Sequence, residues 1–521
     1  MNTSWARGGN TTMIHLTGSD LTLEQLVAIA DDYAPVALDP DAARRVDAAR
    51  AVVDQHAAGD EPVYGINTGF GALAEQRIAH DALGALQVNL LRSHAAGVGE
   101  PLPVRAVRAS MALRANVLAK GYSGIRRSTL ERLLDLLNQR VHPRVPSRGS
   151  VGASGDLAPL AHLSLVLIGE GEAVVADDPR VHPGREALTI AGLDPIALGP
   201  KEGLALINGT QPSTAIAALA LVGAERLARA ADIAAALSID ALRGSVHPFD
   251  ARIHAARPYE GQAVSAANIR QLLDGSAINK SHEHCGRVQD AYSLRCAAQV
   301  HGAARETLSF ARRLLLIEAN AATDNPMVFA TDNTEGEIVS GGNFHGAPVA
   351  IAADTIVLAL AQLATISERR SDRLVNPALS DLPAFLTERS GLQSGYMLAQ
   401  VTAAALTSEI KTLAHPASVD TIPTSANRED HVSMSMGAAL KAARALDLAL
   451  YVTAVEILCA CQGIDLLAPL TTSPRLARVH DRVRTIVPAL SEDRPPAPDI
   501  DAIAATIANG SFQSPIGAEV K

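Results

Sequence analysis

Five stretches, at about 212–242, 297–318, 347–375, 394–415 and 432–463, are long runs rich in Ala and Leu and apolar around much of their circumference. A helix with a single apolar stripe can lie on a surface, but one that is apolar nearly all round must be enclosed. The composition points the same way. Hydrophobic residues make up 48% of the chain but aromatic ones only 3%, so the interior has to be filled with aliphatic side chains. Ala and Leu lead the helix propensity scale, whereas sheets favour aromatic and β-branched residues. The expected fold is mainly α, with long helices packed in a bundle and against further copies of the chain.

Several broad classes drop out early. The 521 residues carry 45 basic and 55 acidic side chains, a net charge of −10, so no basic face for nucleic acid is expected. The apolar run 215–224 spans ten residues, about half a membrane crossing. The longer stretch 347–366 is interrupted by Asp354 and Gln362, so no membrane partner is expected. Four Cys in a chain of this length do not form a disulfide framework. The start lacks the basic-then-apolar pattern of a signal peptide. Together these features predict a soluble, cytoplasmic protein.

Along the chain, residues 1–13 are polar, contain the single Trp (Trp5), and are expected to form a disordered arm, with Met13 as an alternative start. An N-terminal domain is expected over 14–206 and a helical domain over 207–521. Ser19 is placed to cap a helix through Leu23, Leu26 and Ile29, and Asp39-Pro40 to begin another. Helices are predicted around 81–95, 103–120 and 127–140. A glycine-rich loop, Tyr64-Gly-Ile-Asn-Thr-Gly-Phe-Gly71, precedes them. A second, Arg148-Gly-Ser-Val-Gly-Ala-Ser-Gly-Asp156, opens into an apolar helix whose N-terminus suits Asp156 and Pro159. Residues 172–200 read as turns with short β pieces, and a Pro-rich stretch at 488–500 leads into a short amphipathic helix.

Common cofactor motifs are missing. No phosphate loop, dinucleotide fingerprint or nucleophile elbow occurs. His282, His284 and Cys285 lie too close together for a usual zinc pattern. Cys459 and Cys461 read as small core hydrophobes. Neither a metal nor a nucleotide is expected.

Ala153-Ser154-Gly155-Asp156, taken alone, describes a tight turn with a helix cap. The wider string Gly149-Ser-Val-Gly-Ala-Ser-Gly-Asp-Leu-Ala-Pro-Leu160 resembles the signature of the aromatic amino acid ammonia-lyase family. The likeness extends over about residues 14–510, through the loop at Tyr64, Asn208-Gly-Thr-Gln211, Gln289-Asp-Ala-Tyr-Ser-Leu-Arg295 and Gly341-Gly-Asn-Phe-His345. The resemblance implies a compact N-terminal domain holding the cofactor loop and an elongated bundle of long helices. It also implies that Ala153, Ser154 and Gly155 cyclise unaided: the Gly nitrogen attacks the Ala carbonyl, Ser154 dehydrates, and an electrophilic 4-methylidene-imidazol-5-one (MIO) ring results. Small residues permit the compression such a closure needs, and the following helix N-terminus places positive partial charge beside it.

The same likeness implies roles for single residues. Tyr64 would be the base for the β-proton; by itself it reads as a loop-packing Tyr. Arg295 would clamp a carboxylate with its planar fork, where the alternative is an ordinary ion pair. Asn208, Tyr292 and Gln289 would orient the substrate, although Asn208 alone is a plain turn residue. Phe344 would wall the ring pocket or simply plug it. Within the family, Ser93-His94 and Ser425-Ala-Asn-Arg-Glu429 favour an imidazole substrate, because such a ring needs polar partners at both ends. Glu429 would also serve in proton traffic, with its pKa raised by burial; its alternative is a charged residue starting a helix. The implied reaction is non-oxidative deamination of L-histidine to trans-urocanate, in a homotetramer with shared sites. Deamination of Tyr or Phe, a 2,3-aminomutase, or an inactive scaffold are the alternatives. Departures at Ala291, Ile410 and 376–378 remove none of these residues.

Overall fold

The computed structural model describes residues 12–59, 61–69, 76–282, 288–331, 336–514, 516 and 520–521. Residues 1–11 of the arm expected over 1–13, Phe70 and Gly71 of the first glycine-rich loop, and His284 and Cys285 lie outside the described residues.

The fold is mainly α. The five aliphatic runs form the helices Gln211–Ala241, Ala297–Ala319, Ala347–Val375, Met397–Leu413 and Ser435–Asp465. Their small side chains let backbones come close. A Cβ on Gly302 would meet the Gln262 backbone N and Cα at 2.5 Å, a contact that only Gly makes without a shift of backbone. Ala347–Val375 and Ser435–Asp465 are long and apolar enough to cross a membrane, but 67% and 83% of their apolar windows are buried inside the protein, as in core helices. Cys459 and Cys461 are fully buried, and burial pushes the Cys461 thiol up to about 12, so both pack as hydrophobes.

Capping follows the chemistry more closely than the spacing suggests. Asp39 caps Pro40–Ala58 through Asp41 N and Ala42 N, with Pro40 in the first turn as expected. The helix expected behind Ser19 begins instead at Leu23. Thr22 is its cap, and Gln25 closes a reciprocal capping box. Ser19 lacks a Gln or Glu three positions on, whereas Thr22 has one.

Two compact units emerge, each assembled from separated pieces of chain. The first comprises residues up to Leu219 with Arg312–Ala353 and Pro416–Leu440. The second comprises Ala220–Ala311, Asp354–His415 and Lys441–Lys521. The strands belong to the first unit and are short. Ile14–Leu16 pairs in parallel with Val36–Leu38. Val141–Pro143, Glu172–Val175 and Asp178–Pro183 form a small antiparallel sheet. Val98–Pro101 pairs antiparallel with Pro146–Arg148. That last pairing matters for the site, because it lays the end of helix Leu83–His94 beside the Ala-Ser-Gly loop.

Candidate active site

The loop carrying Ala153-Ser154-Gly155 is held from several sides within the first unit. Gly155 has φ +72°, and a Cβ there would meet Gly209 O at 2.2 Å. Asp156 N donates to that same carbonyl at 2.8 Å. Gly152 has φ +66° and faces the Ser433 and Ser435 hydroxyls, which a Cβ would strike at 2.3 and 2.2 Å. Ser433 Oγ donates to Gly152 O at 2.8 Å, and Met434 N donates to Val151 O at 2.8 Å. Left-handed backbone without room for a Cβ is open only to Gly. The loop is therefore compressed by its surroundings and not merely by its own turns.

Asp156 was expected to cap the helix Leu157–Leu165. It occupies the N-cap position, but its side chain makes no cap bond. Its carboxylate accepts instead from Ser150 Oγ at 2.7 Å and Ser213 N at 2.8 Å, tying the loop to the start of helix Gln211–Ala241. Asp156 is fully buried, and burial raises its pKa despite these donors. Glu318, which accepts from Thr210 Oγ1 at 2.6 Å, is raised for the same reason, with the Asp156 charge adding to it.

Ser154 meets two of the expected residues. Its hydroxyl donates to Glu429 Oε1 at 2.7 Å. Asn208 Nδ2 approaches Ser154 O at 3.5 Å, while Asn208 Oδ1 is buried without a hydrogen-bond partner among the described residues. Asn208 is held by its backbone, whose carbonyl accepts from Arg114 Nη1 at 2.8 Å. An unsatisfied buried amide oxygen is costly, and such groups concentrate where a ligand completes them.

Glu429 sits at the end of a strained turn. Ser425, Ala426 and Asn427 all have φ between 51° and 64°, and each such non-glycine residue costs on the order of 1 kcal/mol. The turn brings the Thr424 and Ser425 hydroxyls onto Glu429 Oε2, at 2.6 and 2.8 Å. Burial works to raise the Glu429 pKa. The hydroxyls of Thr424, Ser154 and Ser425, with His94 facing it, outweigh burial and hold the carboxyl below its ordinary range. This corrects the expectation of a raised pKa: burial acts as anticipated, but three donors stabilise the anion.

His94 lies at the end of helix Leu83–His94, with Nδ1 2.9 Å from Leu90 O. A carbonyl can only accept, so the proton belongs on Nδ1 and Nε2 is left as an acceptor. Burial lowers the His94 pKa against the opposing pull of Leu90 O and Glu429. Gly97 N donates to His162 Nε2 at 3.0 Å, fixing the turn just beyond His94.

Tyr64 is half-buried and lines a cleft of about 500 Å3 with His56, Pro62, Val63, Pro326 and Ile338; Ser154 and Glu429 do not line it. The turn around Tyr64 is closed by Asn67, which accepts from Val63 N at 2.7 Å and donates to Glu61 O at 2.9 Å. Phe344 is half-buried on a loop that touches the triplet loop through Gly346 N and Gly152 O, 3.3 Å apart. Gln289, Tyr292 and Arg295 belong to the second unit, where the Arg295 guanidinium lies over the Tyr292 ring at 5.1 Å. Sequence reasoning missed Thr424 and Arg114 altogether and took Asp156 only for a cap. Ser425 stood inside the quoted string with no role assigned. A hydroxyl-rich run ahead of an acid was the one available signal.

A family model described as aromatic amino acid lyase matches residues 21–485. The chain is 56% identical over 505 residues to a histidine ammonia-lyase of Anaeromyxobacter sp. (strain K), covering 96% of this chain and 99% of that one. It is 54% identical over 499 residues to a histidine ammonia-lyase of Myxococcus xanthus, covering 96% and 97%. Among solved structures, the histidine ammonia-lyase of Trypanosoma cruzi superposes with a TM-score of 0.91 at 43% identity, covering 98% and 96%. The tyrosine aminomutase of Streptomyces globisporus gives 0.91 at 38%, covering 98% and 99%.

Proposed function

The chain belongs to the aromatic amino acid lyase family, and from that membership we propose that it removes ammonia non-oxidatively from L-histidine, leaving trans-urocanate. It is a carbon–nitrogen lyase. The observation that carries the choice of substrate is the 2.7 Å bond from Ser154 Oγ to Glu429 Oε1, with His94 facing the same carboxylate. An acid and an imidazole beside the triplet suit a ring with polar atoms at both ends better than a plain phenyl ring.

The surroundings of residues 153–155 fit the MIO group. Glycines stand where backbone must approach backbone, a serine hydroxyl is in place to leave, and Asn208 Oδ1 awaits a donor. Once formed, the group supplies an electrophile for the substrate. The chain's own residues do the rest. The β-proton is barely acidic, so its removal needs a placed base, and Tyr64 is proposed for it. A free Tyr has a pKa of about 10, so its phenolate requires stabilising dipoles or cations. Arg295 takes the carboxylate in a two-point contact, with Tyr292, Gln289 and Asn208 orienting it. Glu429 receives a ring N–H, His94 Nε2 faces the ring, and Phe344 closes the pocket wall. The proposed assembly is a cytoplasmic homotetramer whose sites combine several copies.

The test is a product assay on purified protein with L-His, L-Tyr and L-Phe in parallel, together with the mass of the peptide containing Ser154. Urocanate from His and a peptide lighter by two waters are expected. An unmodified peptide mass would remove the MIO group. Arylacrylates from Tyr or Phe, or β-amino acids, without urocanate would transfer the chain to another branch of the family.

A further inference from the structure

Tyr292–Arg295 is a helix of four residues, too short to hold its own direction. Tyr292 on it is 72% exposed, while Leu294 is buried. A guanidinium that must meet a carboxylate at two points needs a fixed direction, because the paired N–H···O bonds form in only one geometry and a misaimed fork binds the carboxylate less tightly. Two polar contacts flank this turn. Asp290 Oδ2 accepts from Ser245 N at 2.6 Å ahead of it. Beneath it, Ser293 O accepts from Arg370 Nη1 at 3.4 Å.

Arg370 is completely buried. Its Nε and Nη2 donate to the two oxygens of Glu456 at 2.5 and 2.9 Å, and Glu456 Oε1 also accepts from Ser238 Oγ at 2.7 Å. Arg370 Nη1, the nitrogen left over, reaches His301 Nε2 at 3.5 Å as well as Ser293 O. His301 Nδ1 lies 2.7 Å from Asp232 Oδ1, so the ring carries its proton there and Nε2 can accept. Asp232 is completed by Arg305 at 2.6 Å and Asn268 at 2.9 Å. The charges balance in pairs. Buried pairs add little stability over apolar side chains of equal volume.

We propose that the Arg370–Glu456 pair, backed by His301 and Asp232, is a positioning device that aims the Tyr292–Arg295 turn at the substrate carboxylate. It rests on the reading of Arg295 given above. Glu456 fixes the guanidinium plane, Ser238 and His301 fix its place along the bundle, and the remaining N–H sets the height of the Ser293 carbonyl. Arg370 and Glu456, both fully buried, would act on the substrate only through this turn.

The test uses the full-length mature enzyme with Arg370→Met and Glu456→Met combined, so that no lone charge is buried. KM for histidine should rise about tenfold with kcat within about twofold of the parent, the signature of lost uniform binding. The Ser154 peptide mass should be unchanged. Competitive inhibition by imidazolylpropionate, which keeps the carboxylate, should weaken in step with KM. Inhibition by histamine, which lacks it, should not. Equal weakening of both inhibitors, or an unchanged KM, overturns the proposal. Should the double variant fail to fold, Arg370→Lys, which keeps the charge balance with Glu456 but loses the planar fork that reaches Ser293 O, is read by the same inhibitor pair, with a smaller shift in the same direction expected. Arg295→Lys, measured alongside, separates the two ideas. If it leaves imidazolylpropionate binding intact, the reading of Arg295 is wrong and the device falls with it. If it weakens that binding while the double variant does not, only the device is lost.

Discussion

Glu429 shows how a single side chain is tuned by counting partners. Its carboxylate is partly buried, which favours the neutral acid, yet three hydroxyls hold it as the anion. Replacing it by Gln keeps the shape and removes the charge. Glu429→Gln should lower turnover of histidine on the order of a hundredfold while barely changing any turnover of phenylalanine. Equal small losses on both would take Glu429 out of the ring pocket. His142 is the opposite case. It is buried, and neither ring nitrogen has a hydrogen-bond partner among the described residues. Burial, with Arg108 and Arg140 nearby, holds its pKa at about 3 instead of 6.5. The folded protein therefore refuses a proton that the unfolded chain accepts below pH 6.5, and stability must fall as the pH drops from there towards 3. The slope from this one group is about 1.4 kcal/mol per pH unit across that window. His142→Phe, which keeps a ring against Tyr33, should flatten the loss of Tm between pH 6.5 and 4.5. An unchanged slope would assign acid lability to other groups.

At the scale of elements, the short pieces position the chemistry. The pairing of Val98–Pro101 with Pro146–Arg148 brings the end of the His94 helix to the triplet loop. The left-handed turn at 425–427 folds Glu429 back onto Ser154. Gly155 is pressed against backbone, with Gly209 O 2.2 Å from where its Cβ would be. Gly155→Ala should leave the far-ultraviolet circular dichroism intact and abolish the loss of two waters from the Ser154 peptide. Dehydration at the parental level would mean that compression at this position does not drive cyclisation. At the start of helix Leu23–Asp31, Thr22 with Gln25, and not Ser19, forms the capping box.

Across the whole molecule, the long helices still expose apolar side chains. Leu398 and Val401, one turn apart on Met397–Leu413, are 54% and 49% exposed, and Ile317 and Ile351 on other helices are similar. Apolar surface of this kind seeks a partner. Leu398→Arg combined with Val401→Arg should reduce the proposed tetramer to a smaller species in sedimentation velocity and lower activity with it. A variant that sediments like the parent would place the interface elsewhere.

The helical class was legible because it rests on period and propensity, which neighbouring residues express together, as in 212–242 and 432–463. The triplet was legible because compression demands Gly and Ala at fixed neighbouring positions. The sequence by itself thus determined the kind of fold, the family and the place where a cofactor could form. Only the tertiary structure decided that Glu429 bonds Ser154 from 275 residues away, that Asp156 braces Ser213 instead of capping its own helix, and that Arg370 reaches the Tyr292–Arg295 turn. The physical reason is common to all three. Whether a buried charge is a cap, a tether or a neutralised pair depends on donors that distant segments bring to it, and no local pattern records which donors arrive.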